Sequence, residues 1–254
     1  MTKQEVLKQC TVQGNNVYLP AGQLDRKLYQ DVAKALELIG GKWKGGKVMG
    51  FVFNEDPTYL LSQIANGDKR NLKKEYQFFG TPKAVAEMMV DKLTGYCNSK
   101  SKFLEPSAGQ GALVDAFRKA YPDHEDSKKT LVELMPINCS MLQKKDYGCR
   151  LLEQDFLTID TKEEYDIILA NPPFTKNQDI DHIRKMFEVL NPCGGIMVTL
   201  CSPHFMHASG KKETAFKEWL EQNQARISII PAGSFKESGT NIETVLIVID
   251  TYPF

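Results

Sequence analysis

Two kinds of apolar spacing divide the chain. In residues 1–75 the apolar positions form short, separate groups, whereas from residue 76 onward buried-looking runs alternate with helical spacings. Residues 1–20 are polar apart from Val17-Tyr18-Leu19. Leu24, Leu28, Val32, Ala35, Leu36 and Ile39 recur at intervals that predict a helix from Pro20 to about Ile39, stopped by Gly40-Gly41. Lys42–Lys47 reads as a turn between two short strands, the second over Val48–Phe53. Asp56-Pro57 then opens a helix through Leu60, Leu61 and Ile64. Residues 1–75 therefore read as a small N-terminal α+β extension of helix, hairpin and helix.

Residues 76–254 read as a second domain. Thr81 is placed to cap a helix with Pro82 at its first position, bearing Val85, Met88, Met89, Val90 and Leu93. Seven apolar runs follow, at 103–104, 129–132, 150–152, 165–170, 196–200, 227–230 and 244–249. Helical spacing lies between several of them: Leu113, Val114 and Phe117; Met141 and Leu142 after Pro136; Asp179–Leu190; and about Lys212–Glu221. Alternation of this kind predicts an α/β fold, a mainly parallel sheet covered on both faces. Only a loop rich in Gly and Ser joins the last two strands, so they are expected to form an antiparallel pair at one edge.

Composition narrows the class without naming a function. Of 254 residues, 42% are hydrophobic and 25% charged, the balance of an ordinary globular chain. No apolar run approaches a membrane span, and Met1-Thr2-Lys3-Gln4-Glu5 lacks a signal peptide's apolar region. Cys10, Cys97, Cys139, Cys149, Cys193 and Cys201 contain no C-x-x-C pair, which suits reduced thiols in the cytoplasm. Net charge is +0, which argues against non-specific coating of nucleic acid, but residues 1–80 are more basic than the remainder. Lys69-Arg70-Asn71-Leu72-Lys73-Lys74 is a candidate phosphate contact, although such a run is usually a solvated face. Trp43, in a Lys-rich hairpin, is expected to pack on the neighbouring helix.

The strand ends carry the chemistry. Asn171-Pro172-Pro173-Phe174 follows the run 165–170, at the carboxyl end where open α/β sheets hold ligands. The prolines stiffen the turn and leave carbonyl acceptors, Asn171 adds an amide oxygen, and Phe174 offers a flat apolar face. Together they suit a planar group carrying an amine. Gly109 and Gly111 lie in the first strand–helix turn, where a ligand can approach the backbone, though a third glycine of the dinucleotide fingerprint is missing. Glu133 ends the second strand, where an acid can accept from ribose hydroxyls. Asp155-Phe156 ends the third, where a carboxylate can accept from an exocyclic amine and a ring can flank a base. Cys201, His204 and His207 share one loop, but this is not a zinc spacing and no metal is expected.

In this register the chain resembles class I S-adenosylmethionine-dependent methyltransferases, specifically the adenine-N6 DNA methyltransferase family. The resemblance covers about residues 76–250. Phe79-Gly80-Thr81-Pro82 is similar to the motif before the first strand, and Glu105-Pro106-Ser107-Ala108-Gly109-Gln110-Gly111 to the cofactor loop. Asn171–Phe174 is similar to the catalytic motif and Asn191–Gly195 to the family's turn, in the gamma order. The resemblance implies a Rossmann-like, seven-stranded sheet and S-adenosylmethionine as cofactor. Thr81 would hold its methionine end, and Glu105, Pro106, Ala108, Gly109 and Gly111 would line it. Glu133 would bind the ribose, Leu134 would pack on the cofactor adenine, Asp155 would bind its amino group and Phe156 would lie beside the ring. Asn171 and the Pro172 carbonyl would accept from the target amine, with Pro173 stiffening the turn and Phe174 stacking on the target base. Phe235, in a loop where the resemblance is loose, would cover the other face of the base.

The implied partner is DNA, with RNA open. Gamma members carry a recognition domain after the last motif. This sequence stops at Phe254, so recognition is expected from residues 1–75, from loops 175–179 and 203–212, or from a separate subunit or second copy. Protein-glutamine methyltransferases also use an N-P-P-aromatic motif. They usually carry Tyr where Phe174 stands and an Asp-Gly-rich cofactor loop, so the nucleic-acid reading is preferred. A non-catalytic subunit that keeps the fold is the third reading; the intact Asn171–Phe174 motif disfavours it.

Overall fold

Strong local signals set the elements of the first part of the chain. Thr2 and Glu5 form a reciprocal capping box, the Glu5 N–H donating to Thr2 Oγ1 and the Thr2 N–H to Glu5 Oε2, and so start α1 (Lys3–Gln9). Asp25 Oδ1 accepts from the Leu28 N–H at 2.9 Å, so α2 spans Arg26–Leu38 and begins later than the expected Pro20. Strands β1 (Thr11–Gln13), β2 (Asn16–Tyr18), β3 (Lys42–Lys44) and β4 (Gly50–Val52) form an antiparallel sheet in the order β1-β2-β4-β3. Helix α3 (Thr58–Ala65) closes this unit over a core that includes Val6, Leu7, Val17, Val32, Leu36 and Phe51. Trp43 packs edge-on against Tyr29 of α2 and Phe51 of β4, as the spacing suggested.

The computed structural model describes residues 1–53, 56–67, 80–160, 162–235 and 243–252, and the chain divides into two units, Met1–Phe79 and Gly80–Phe254. The basic run Lys69–Lys74, Phe79 and the expected boundary at 75/76 lie outside the described residues. Among the described residues no helix is long and apolar enough to cross a membrane.

The second unit carries a seven-stranded sheet. Its strands are β5 (Phe103–Glu105), β6 (Lys129–Glu133), β7 (Arg150–Glu153), β8 (Ile167–Ala170), β9 (Ile196–Cys201), β10 (Arg226–Ile230) and β11 (Thr244–Asp250). The order is β10-β11-β9-β8-β5-β6-β7. Side chains alternate between its faces with period two. Phe103, Leu131, Ile167, Leu169, Val198 and Leu246 join one core with α4 (Lys83–Asp91), α5 (Ala112–Ala120) and Leu142 of α6 (Pro136–Lys145). Leu104, Val132, Ile168, Ala170, Met197 and Ile247 join the other with α7 (Gln178–Glu188) and α9 (Lys211–Gln222). A short helix, α8 (His204–His207), lies where a loop was expected. Burial on both faces explains why the strands read as continuous apolar runs.

The edge differs in detail from the expected pair. β11 runs antiparallel to both β10 and β9, so it lies inside the sheet, and only β10 is at the edge. The crossover from β7 to β8 carries one 3₁₀ turn, Phe156–Thr158, and no longer helix among the described residues. A cavity of about 480 Å³ lies over the sheet there, floored by Leu104, Val132 and Leu152.

Candidate active site

Strand order places the site. β5 pairs in parallel with β6 on one side and β8 on the other, so the crossovers change direction between β5 and β8. The carboxyl ends of those strands frame the crevice in which open α/β sheets bind ligands. The turn after Glu105 and the turn after Ala170 are thereby set next to each other.

Glu105, at the end of β5, is only 1% exposed, and its Oε2 accepts from the Val114 N–H at 3.1 Å. Gly111, the cap residue of α5, has no side chain to offer, so Glu105 supplies the acceptor for an early N–H of that helix from the neighbouring strand. Burial pushes this carboxyl well above the usual carboxylate range. Glu105, expected to line the cofactor, is buried at the end of β5 and serves as an acceptor for the start of α5. Pro106 and Ala108 are also buried, and the Ala108 N–H donates to the Val132 carbonyl at 2.9 Å.

Glu133 ends β6 and joins two segments. Its Oε2 accepts from the Gly109 N–H at 2.6 Å and its Oε1 from the Met135 N–H at 2.7 Å. Burial raises its pKa while those N–H groups oppose the shift. A carboxylate has further lone pairs, so the same oxygens can accept from a diol. Leu134, immediately beyond, is 54% exposed, an apolar side chain left open beside the acid. Gly109 holds φ +54° and Gly111 φ +88°, conformations that L side chains rarely adopt. Gly111 has a packing reason to be bare as well. A Cβ there would meet Tyr147 Oη at 2.8 Å and Leu142 Cδ2 at 3.1 Å, so its bareness serves internal packing. Lys145, which the motifs did not reveal, braces the same loop by donating to the Gln110 carbonyl at 2.7 Å and to Asp115 Oδ2 at 2.6 Å.

Asp155 Oδ1 accepts from the Leu157 N–H at 2.9 Å and caps the turn 156–158. Phe156 is 2% exposed and lies against His182 of α7, ring centroids 5.7 Å apart. It was expected to flank a base; in this structure its ring is covered by the chain. His182 is a residue the sequence reading missed. It is buried, its Nδ1 has no hydrogen-bond partner, and burial depresses its pKa to about 4.

Asn171 to Phe174 leave β8 as an irregular segment that leads into the 3₁₀ turn at Thr175–Asn177. Pro172 is buried; Asn171, Pro173 and Phe174 are half-buried, and Phe174 packs on the core that contains Phe235. Asn171 Nδ2 donates to Thr81 Oγ1 at 3.1 Å. Thr81 was expected to cap the following helix. Pro82 holds the cap position instead, with no side-chain cap bond, which leaves the Thr81 hydroxyl to Asn171. Phe235 was expected over a target base, but at 2% exposure it belongs to the hydrophobic core. Beyond the motif, Lys176 and Asn177 both hold φ +57°. That strained path is held by Asn177 Nδ2 on Glu213 Oε1 and by Lys212 Nζ on the Asn177 carbonyl at 2.9 Å. Asp179, 2% exposed with its pKa raised by burial, accepts from the Ser202 N–H at 2.8 Å and from Cys201 Sγ at 3.3 Å. It locks the start of α7 to the end of β9. Cys201 is committed there, and among the described residues no group of three His, Cys, Asp or Glu could hold a metal ion.

Glu133, bonded to the Gly109 backbone and followed by the exposed Leu134, has a carboxylate that suits a diol, and such a set fits an adenosyl sulfonium compound. Residues 83–222 match the profile of a family described as the methyltransferase small domain. The Type II methyltransferase M.CvrRI of Paramecium bursaria Chlorella virus XZ-6E is 30% identical over 118 residues, 45% of this chain and 30% of that protein. The type I restriction-modification system methyltransferase subunit from Streptococcus thermophilus shares the fold with a TM-score of 0.59 at 18% identity. That match covers 90% of this chain and 55% of the other. A putative class I S-adenosylmethionine-dependent methyltransferase from Listeria monocytogenes matches with a TM-score of 0.56 at 14% identity, over 77% of this chain and 67% of that one. The chain thus spans 30% of the viral relative's length and 55% of the streptococcal subunit's.

Proposed function

The chain belongs to the methyltransferase small domain family, with S-adenosylmethionine as its methyl donor, and from that premise we propose that it methylates the exocyclic N6 of adenine in DNA. One observation carries the proposal. Asn171, Pro172 and a half-exposed Phe174 leave the carboxyl end of β8 directly beside the turn after β5. An amide oxygen, a rigid proline carbonyl and an aromatic face thereby border the pocket edge where the methyl donor is expected.

Bound S-adenosylmethionine supplies an electrophilic methyl group on sulfur. Glu133 holds the ribose hydroxyls, Leu134 packs on the adenine, Asp155 accepts from its amino group, and the loop 105–111 shapes the wall. The target amine is a weak nucleophile because its lone pair is delocalised into the ring. Two acceptors, Asn171 Oδ1 and the Pro172 carbonyl, hold its hydrogens and favour a pyramidal nitrogen. Both acceptors strengthen as positive charge develops on that nitrogen. The nitrogen that takes the methyl group would give up one proton to solvent. Phe174 stacks on the base, which must leave the duplex at a cost of a few kcal/mol, offset in part by that contact. Phe156 and Phe235 support this site from the core.

The restriction-modification subunits that share this fold support assembly with a separate recognition subunit or a second copy. The proposed setting is the cytoplasm, in keeping with six cysteines that are all unpaired. The test incubates the protein with methyl-labelled cofactor and, separately, DNA, RNA and a release-factor-like protein. Label recovered from DNA as N6-methyldeoxyadenosine supports the reading; label only in RNA or protein overturns it. Asn171→Ala is expected to slow transfer by about a hundredfold or more while S-adenosylhomocysteine affinity changes little. A comparable loss of affinity would contradict the role given to Asn171.

A further inference from the structure

A glycine on either side makes Gln110 an inherently loose point of the loop after β5. Gly109 and Gly111 hold φ +54° and +88°, and glycine backbones rotate at little cost. A binding wall built from such a segment fits a ligand well only if its peptides are fixed beforehand.

Three bonds fix them. The Gly109 N–H donates to Glu133 Oε2 at 2.6 Å. The Gly111 N–H donates to the Ala108 carbonyl at 2.8 Å. The Gln110 carbonyl, at the other end of the same peptide group as the Gly111 N–H, accepts from Lys145 Nζ at 2.7 Å. The first two bonds lie within the loop and the neighbouring strand β6. The third comes from the last residue of α6, thirty-five positions further along the chain.

Lys145 is itself held in place. Its Nζ donates to Asp115 Oδ2 at 2.6 Å, and the Tyr147 hydroxyl donates to the other oxygen of that carboxylate. Asp115 lies in the first turn of α5, the helix into which the loop runs. Lys145 thus ties the Gln110 carbonyl to the start of the following helix. A hydrogen bond from an ammonium group is stronger than a neutral one. Without it, the peptide between Gln110 and Gly111 keeps the Ala108 bond alone, with a glycine on each side free to follow its rotation. Gly109 is one of those glycines, and its N–H shares Glu133 with the ribose of a bound donor.

We propose that Lys145 is a positioning residue for the methyl donor: it grips the glycine loop from outside, through the Gln110 carbonyl, and so presets the wall against which S-adenosylmethionine binds. Asp115 keeps Lys145 at that carbonyl. The inference rests on loop 105–111 being the donor loop, and it is independent of the group that receives the methyl.

The test titrates S-adenosylhomocysteine by calorimetry into four forms of the full chain. They are wild type; Lys145→Met, which keeps the stem and loses the ammonium; Lys145→Arg, which keeps the charge and its donors; and Asp115→Ala. Circular dichroism at the same low temperature checks that each is folded. Lys145→Met should bind about tenfold more weakly, the scale of one charge-assisted hydrogen bond. Lys145→Arg should stay within about threefold of wild type. Asp115→Ala should also weaken binding, by about threefold, because it removes a partly exposed ion pair that anchors Lys145. Unchanged affinity in Lys145→Met overturns the inference and leaves the brace a matter of stability alone. Asp115→Ala binding that matches or exceeds wild type also overturns it, since Lys145 would then act by touching the ligand directly. So does a Lys145→Arg form as weak as Lys145→Met. If Lys145→Met does not fold, Asp115→Ala, at a half-exposed helix position, decides by the same criterion. Failure of wild type itself to bind S-adenosylhomocysteine would overturn the donor-loop reading instead.

Discussion

Gly111→Ala separates the internal role of the glycine turn from a ligand-facing one. The added Cβ meets Tyr147 Oη at 2.8 Å, Leu142 Cδ2 at 3.1 Å and Lys145 Nζ at 3.3 Å. None of the three yields easily. Leu142 is 3% exposed, the Tyr147 hydroxyl is bonded to Asp115, and Lys145 holds both Gln110 and Asp115. The φ of +88° adds roughly 1–2 kcal/mol for any L side chain, and overpacking of this kind adds about 1–3 kcal/mol. A total near 3 kcal/mol should lower the melting midpoint of a unit this size by about 6–12 °C. Gly109→Ala, at φ +54°, is the control and should cost only about 1 kcal/mol in backbone strain. Calorimetry or circular dichroism reads the midpoint, and titration with S-adenosylhomocysteine reads affinity in the folded protein at low temperature. Gly111→Ala should melt early yet bind within a few-fold of wild type. A variant with wild-type melting and binding reduced a hundredfold would mean that Gly111 faces the ligand, and the packing argument would be wrong.

Three further outcomes follow from burial and charge. Phe235→Ala should lose about 3–5 kcal/mol of stability in urea unfolding, because its ring is core; unchanged stability with weakened target binding would restore the expected base contact. Glu105 has a raised folded pKa, so it binds more protons folded than unfolded, and wild-type stability should fall as pH rises from the ordinary Glu range through that raised value. Glu105→Gln keeps a carbonyl acceptor for Val114 and should gain on wild type as pH rises; parallel urea midpoints at acid and alkaline pH would refute this. His182 has the opposite sign. Its pKa falls from 6.5 to about 4, so stability present above 6.5 is lost as pH drops toward 4, and His182→Phe should flatten that slope in melts across pH 4–7.

The strand ends were legible because their signals are local. Apolar runs buried on both faces, glycines at a turn and Asn171-Pro172-Pro173-Phe174 need only neighbours in sequence to be read. The partnerships among them were not. Glu105 looked like a lining residue because its acceptor role depends on Val114 across a turn, and Glu133 meets Gly109 only because β5 and β6 lie side by side. Phe156 and Phe235 were placed near ligands because an aromatic ring in a loop reads alike whether it faces a base or the core. His182 sat on a helix spacing that also contains Ile183 and Met186, and nothing local marked it as the neighbour of Phe156. The Thr2–Glu5 box was a readable start signal for α1 that the polar character of residues 1–20 concealed. The Thr81–Asn171 bond joins segments too far apart for any local pattern to reveal.

The interior place of β11 bears on how the protein is made. Among the described residues, 226–230 bond to the sheet through 244–250 alone, and those residues also cover the outer side of β9. Until residues 244–250 are in place, β9, a strand of the buried type, has an open flank, with β10 also unpaired. Such an edge is a place for mispairing with a neighbouring nascent chain. A product truncated before Thr244 would lose the partner of two strands at once, and with it the sheet's whole antiparallel side.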